Sequence, residues 1–176
     1  MHELSYREKE HQIGRCDVKF VKPTDVIKIG DLTVRHFSTK HDTKMSFGYS
    51  VKQKGGPIFV YVTDSGMITP LMVQNMMKAD VLMIEADYDE QLLDDYDGYD
   101  DWLKARIIGT RGHLSNTQTV NFLKTNGIDK FKHIIFAHLS PRTNTPETII
   151  KMASAEFPNE KNKFLTAPLD DPIDIT

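Results

Sequence analysis

Three ionisable residues directly follow apolar stretches of strand-like composition. Asp64 follows the run 58–63 (IFVYVT), Glu85 follows 81–84 (VLMI), and His138 follows 133–137 (HIIFA). Sites on α/β sheets collect beyond the carboxyl ends of strands. One such residue is ordinary strand-end punctuation, whereas three point to a shared rim. His41, in a loop between two further strand-like runs, adds an imidazole. With Asp64 and His138 it supplies the ligand types that zinc or manganese takes, two imidazoles and a carboxylate. His113 lies in Arg111-Gly112-His113-Leu114-Ser115-Asn116, between helical segments. There it is either a helix-capping loop residue or a proton donor to a leaving group, because imidazole changes charge near neutral pH. Glu85 is the candidate to orient and polarise it. His36, His133, His2 and His11 read as structural or solvated, and Cys16 as a small buried hydrophobe.

The elements that must position these groups follow from pattern and punctuation. Strands are expected over 16–21, 26–29, 32–37, 47–52 and 58–63, with Gly30-Asp31 and Gly55-Gly56-Pro57 as turns. The first third is therefore β-rich and, with such short connections, antiparallel. Helical spacing marks 70–78, 91–95, 101–107, 116–125 and 145–157, and strands are expected over 81–85 and 133–137. Ser115 or Asn116 is available to cap the helix that Asn126-Gly127 closes, and Thr143 or Asn144 stands near the start of the last one, with Pro146 in its first turn. Strands first, then strand–helix alternation, imply a layered α/β domain. The run 87–101 is acidic and reads as a solvated surface segment.

A length of 176 residues allows about one domain, and 39% apolar with 27% charged residues argues against wholesale disorder. No apolar run approaches the roughly 18 residues of a membrane span, and residues 1–12 contain no apolar leader core. One cysteine excludes an intramolecular disulfide framework or a cysteine-rich zinc site. A net charge of −3 argues against a strongly electrostatic nucleic-acid binder. A soluble, cytoplasmic protein is expected, with a polar lead-in over 1–14, a domain over 15–167 and a mobile acidic tail over 168–176.

The region from about residue 37 to 157 resembles the metallo-β-lactamase fold hydrolases, in particular the WalJ/YycJ-like branch, which is related to ribonuclease Z and PhnP. Lys40-His41-Asp42 before Phe47-Gly48-Tyr49 resembles one metal motif of that family, and Tyr61-Val62-Thr63-Asp64-Ser65-Gly66 resembles the one whose aspartate bridges two metals. Ile84-Glu85-Ala86 resembles the segment whose glutamate supports proton transfer, and Gly112-His113-Leu114-Ser115-Asn116 the GHLSN signature, whose ribonuclease Z counterpart provides the general acid. Ala137-His138-Leu139-Ser140, followed by Asn144 and Pro146-Glu147, resembles the last metal motif.

The resemblance implies His41, Asp64 and His138 as metal ligands and His113 and Glu85 as catalytic residues. It implies Ser140, Asn144, Ser115 and Asn116 as substrate-binding residues. It further implies zinc or manganese, two ions in the intact family, and a phosphodiesterase or exonuclease-like nuclease acting on nucleic acid or a small phosphodiester. The family's HxHxDH motif is not found within residues 1–40, where His2, His11 and His36 stand singly. An incomplete metallo-β-lactamase fold is therefore expected, an αββα sandwich without its N-terminal strands. A truncated product or one half of a split enzyme follows, completed by a second chain carrying HxHxDH or by self-association. The competing reading is a non-catalytic interaction protein that uses the acidic run 87–101 as its contact surface.

Overall fold

The computed structural model describes residues 21–22, 25–168 and 172–173. The expected lead-in, all of the 16–21 strand but Val21, Cys16, His2 and His11 lie outside the described residues, as does most of the tail.

Seven strands form one mixed sheet in sequence order, β1 (Val26–Ile29), β2 (Leu32–Ser38), β3 (Phe47–Gln53), β4 (Ile58–Val62), β5 (Val81–Glu85), β6 (His133–Ala137) and β7 (Phe164–Thr166). The pairs β1–β2, β2–β3 and β3–β4 are antiparallel, as the short turns of the first third dictate. The pairs β4–β5, β5–β6 and β6–β7 are parallel, as crossovers through helices require. Two successive reversals return β4 to the direction of β2, and β5 and β6 keep that direction. The carboxyl ends of β2, β4, β5 and β6 therefore open on one edge of the sheet.

Helices fill the connections: α1 (Pro70–Met76), α2 (Glu90–Asp95), α3 (Asp101–Ile108), α4 (Asn116–Asn126) and α5 (Pro146–Glu156). Met72 and Met76 of α1, Val120 and Leu123 of α4, and Ile149 and Ala153 of α5 pack on one sheet face. That face presents Val60 and Val62, Leu82 and Ile84, Ile134 and Phe136, and Phe164. Alternation of side chains across a strand selects this set. The opposite face carries Ile29, Leu32 and Tyr49 at its β1–β3 end, and these are exposed. The described residues thus build one sheet with a helical layer, the expected α/β layering. The second sheet of a full sandwich is not among them.

Local signals decide the helix ends. Ser115 caps α4 in a capping box with Gln118, and Gly127 closes it at φ 76°, a left-handed conformation that glycine takes without a Cβ clash. The α5 cap is Thr145, whose hydroxyl accepts from Thr148 N, rather than Thr143 or Asn144. Thr143 and Asn144 are instead buried in the preceding loop.

Candidate metal centre

Four of the candidate residues are delivered by the converging strand ends. His41 lies three residues past β2, Asp64 two past β4, Glu85 closes β5, and His138 directly follows β6. His113 comes from the loop between α3 and α4. Asp64 (φ 56°) and His138 (φ 58°) are the non-glycine residues of positive φ among the described ones. Such backbone costs of order 1–3 kcal/mol and persists where surrounding structure enforces it, most often at functional sites. Here the turn aims both side chains back over the rim instead of along the strand.

A tight backbone contact closes the site. Gly66 packs against Gly109, Arg111 and Gly112, so closely that a Cβ would overlap their backbone atoms. Gly112 packs as closely on the carbonyls of Arg106 and Ile107. These contacts press the His113 loop onto the Asp64 turn. Gly66 N also donates to Lys40 O at 2.8 Å, and Thr39 Oγ1 donates to Asp64 O at 3.0 Å, tying the His41 loop to the same turn.

The imidazoles are oriented alike. His41 Nδ1 donates to Gly112 O at 3.0 Å, which turns Nε2 to within 3.7 Å of Asp64 Oδ1. His138 places Nδ1 3.1 Å from Glu85 Oε1 and 3.5 Å from Asp87 Oδ1, and Nε2 3.6 Å from Asp64 Oδ1. His113 Nδ1 lies 2.7 Å from Glu85 Oε1. Its ring stacks on His138 at a centroid distance of 5.1 Å and tilts against His41 at 4.8 Å. A carbonyl or carboxylate on one ring nitrogen fixes the tautomer and leaves the other nitrogen as a ligand or proton carrier.

Glu85 is fully buried. Its Oε2 accepts from Ser65 N at 3.0 Å and Leu114 N at 3.3 Å, while Oε1 faces the two histidines. Burial pushes its carboxyl upward, but hydrogen bonds from His113, His138 and the backbone outweigh it and hold Glu85 below the usual carboxylate range. Burial likewise pushes His113 down, and Glu85 outweighs it, so His113 is raised. Asp87 and then Glu85 hold the His138 imidazole up to about 10, against its burial. Arg106 holds the Asp42 carboxyl low, through a hydrogen bond beside His41.

Asp64, Glu85, His113 and His138 each offer a ligand atom, and these atoms lie within 4.8 Å of one another. The donor chemistry fits a cation. Two ligands at about 2.1 Å on a tetrahedral ion stand about 3.4 Å apart, close to the 3.6 and 3.7 Å that separate Asp64 Oδ1 from the two Nε2 atoms. Acidic surroundings compensate a divalent charge. A cavity of about 910 Å³ opens beside this group, lined by Tyr61, Met83, Asp87, His113, His138 and Ser140 among others.

The structure thus brings together His41, Asp64, Glu85, His113 and His138. It places the other candidates differently. Ser115 and Asn116 are buried, and their polar atoms are committed inside the protein. Ser115 Oγ caps α4, and Asn116 exchanges hydrogen bonds of 3.0 and 2.8 Å with Asn144. Asn144 also donates to Ala86 O at 2.7 Å, locking the loop after β6 to the loop after β5. These three act as fasteners behind the rim, the polar atoms of Ser115 and Asn116 being taken up inside the protein, while Asn144 also lines the cavity. Ser140 accepts from Arg142 N and Thr143 N at 3.3 Å each and remains on the cavity wall. Asp87 was not singled out by its sequence, because it opens the acidic run. It is only 8% exposed and braces His138, so that run is not a solvated surface throughout.

Comparison with known proteins agrees with this geometry. The family described as the beta-lactamase superfamily domain matches residues 2–138. The chain is 28% identical over 163 residues to Exodeoxyribonuclease YycJ of Bacillus anthracis, covering 90% of this chain and 60% of that protein. It is 33% identical over 120 residues to Exodeoxyribonuclease WalJ of Streptococcus pneumoniae, covering 67% of this chain and 43% of that protein. The chain therefore spans about half the length of these curated relatives. Among solved structures, the metallo-beta-lactamase fold protein YhfI from Bacillus subtilis superposes with a TM-score of 0.58 at 17% identity, over 83% of this chain and 50% of that one. Zn(2+)-bound PqqB from Methylobacterium extorquens superposes at 0.55 with 15% identity, over 84% and 52%. With a family match over most of its length, and with four rim residues on converging strand ends beside His113 of the α3–α4 loop, the chain belongs to the beta-lactamase superfamily, in its metallo-β-lactamase fold.

Proposed function

We propose that this chain carries one wall of a divalent-metal centre that hydrolyses phosphodiesters of nucleic acid, in the manner of an exonuclease. The convergence of His41, Asp64, Glu85, His113 and His138 on one sheet edge, with Asp64 and His138 on left-handed backbone, carries the reading. The names of the curated relatives, both exodeoxyribonucleases, favour nucleic acid over a small phosphodiester as substrate.

His41, Asp64 and His138 would hold the metal, Asp64 Oδ1 lying 3.7 and 3.6 Å from the two Nε2 atoms. Zinc or manganese, two ions in the complete centre, supplies Lewis acidity toward phosphoryl oxygens and acidifies water. Glu85 anchors Nδ1 of His113, so the Nε2 proton is the one delivered to the leaving oxygen. Glu85 raises the proton affinity of His113 against the effect of burial, which favours the acid role. Asp87 and Glu85 fix the ring plane of His138. Ser140 and Asn144, which both line the cavity, are the candidates for substrate contact.

His41, Asp64 and His138 leave coordination positions open, since catalytic zinc sites commonly use three protein ligands for a single ion. The test is metal content by mass spectrometry after dialysis against trace zinc and manganese, beside a His41→Ala, Asp64→Ala variant. At least one ion per chain, lost in the variant and accompanied by hydrolysis of a labelled oligodeoxynucleotide, is the expected result. Metal retained equally by both proteins overturns the ligand set, and metal-loaded protein inert on phosphodiesters overturns the reaction.

A further inference from the structure

A second cleft that His41 also lines, of about 490 Å³, is walled by residues 38–41 and 43–47, Met67, Thr110 and Arg111, with Asp42 of the same loop outside its lining. Three of its residues are cations, Lys40, Lys44 and Arg111, and no aspartate or glutamate lines it. This contrasts with a chain of net charge −3 and an acidic 87–101 run. The ion pairs of Lys and Arg side chains among the described residues involve Arg106, Lys124 and Lys163. Lys40, Lys44 and Arg111 have no carboxylate within 4.0 Å among those residues. Arg111 spends Nε and Nη2 on the carbonyl of His41 at 3.2 Å each, which seats its guanidinium at the boundary between cleft and metal centre.

The loop is held rigidly enough to preorganise these charges. Thr39 N donates to Ser46 O at 3.1 Å across its neck, and Lys40 N donates to Ser65 Oγ at 3.0 Å beside Asp64. The Lys40 backbone is therefore fixed while its side chain is exposed. Hydroxyl groups of Ser38, Thr43 and Thr110 complete the lining with neutral donors. Unpaired cations together with hydroxyl donors, and no anion, match a phosphate oxyanion. Met45, Phe47 and Met67 add an apolar wall that suits the sugar of a nucleotide, and a metal ion finds no carboxylate.

We infer that this cleft is a subsite for the sugar-phosphate backbone of a single strand, in which Lys40, Lys44 and Arg111 hold phosphates next to the one presented to the His41–Asp64–His138 centre. It rests on the phosphodiester reading of that centre and extends it. An enzyme working along a strand needs grip on the phosphates beside the scissile one, and this cleft adjoins the centre through His41 itself. Binding there is sequence-independent and salt-sensitive, as backbone contacts are.

The experiment measures fluorescence anisotropy of a labelled single-stranded phosphorothioate oligodeoxynucleotide, which resists cleavage, over a salt series. The full chain is compared with Lys40→Ala, Lys44→Ala, and with Lys52→Ala, Lys54→Ala. The latter pair removes the same charge near the opposite end of β3. Each lost phosphate contact lowers the slope of log K against log salt by about 0.7 for single strands. A slope smaller by about 1.4 in the first variant, with the second variant like wild type, supports the subsite. Equal effects of the two variants, or no effect of either, overturn it, as does absence of binding by the wild-type chain at low salt. The His41→Ala, Asp64→Ala protein separates the two ideas. If the metal reading fails, metal and hydrolysis are missing, yet the Lys40 and Lys44 contribution to the slope is still measured. If only the subsite fails, metal uptake stands while the slope is unchanged.

Discussion

His113 and His138 share one buried carboxylate and lie in the same group of ligand atoms within 4.8 Å of one another. Nε2 of His138 stands 3.6 Å from Asp64, in ligand position. His113 is held on Glu85 by a shorter contact of 2.7 Å, and its ring lies between those of His41 and His138. The division of labour proposed here, ligand for one and acid for the other, has a direct consequence. Replacement His113→Ala is expected to leave metal content near that of wild type while hydrolysis falls by roughly 10²–10⁴, the usual contribution of a positioned acid. Asp64→Ala is expected to lose metal and hydrolysis together. Metal analysis and oligonucleotide assays on the same preparations check both. A His113→Ala protein without metal would move His113 into the ligand set.

At the scale of elements, the rim is built by loops that fasten to one another rather than to solvent. The Asn116–Asn144 exchange joins the start of α4 to the loop before α5, and Asn144 reaches on to Ala86 behind Glu85. Both asparagines are buried, so removing one leaves polar atoms of the other without partners. Asn116→Ala is expected to lower the free energy of unfolding by about 1–3 kcal/mol. Because the lost bonds sit directly behind the rim, metal affinity falls with stability. Denaturant unfolding and metal titration of the variant measure the two effects. Unchanged stability would show that these amides find water instead of one another.

At the scale of the whole molecule, the described residues form one sheet with α1, α4 and α5 packed on one face. On the other face, Ile29 is 61% exposed, Leu32 39% and Tyr49 40%, with β1 as an unpaired edge beside them among the described residues. Exposed apolar side chains along an open edge favour association. The fold neighbours are about twice as long as their overlap with this chain, which covers 50% of YhfI and 52% of PqqB. The chain on its own is therefore expected to self-associate. Sedimentation velocity over a concentration series reads this directly, with a rising average mass as the expected outcome and a monomer at every concentration as the contrary one. A charge placed at Ile29, which removes no core contact, is expected to shift the equilibrium toward monomer.

Local order was legible in the sequence. The strands and helices expected within the described residues came within a residue or two, because turns such as Gly30-Asp31, the Ser115–Gln118 capping box and alternating apolar runs act over a few residues, whereas β7 (Phe164–Thr166) was not anticipated. Asp64, Glu85 and His138 were visible as polar residues placed at the ends of apolar strands, and the motifs around them resembled one family. What sequence could not decide depends on strand direction and long-range packing. Only the pairing of β2 with β3 and β3 with β4 sets His41 on the same edge as the parallel strands. Only the packed loops show that Asp87 turns inward to His138 while Ser115 and Asn116 spend their hydrogen bonds behind the rim. An acidic run or a Ser-Asn pair looks the same in sequence whether it faces water or the interior. Burial and hydrogen-bond partners, which tertiary contacts create, are what separate the two.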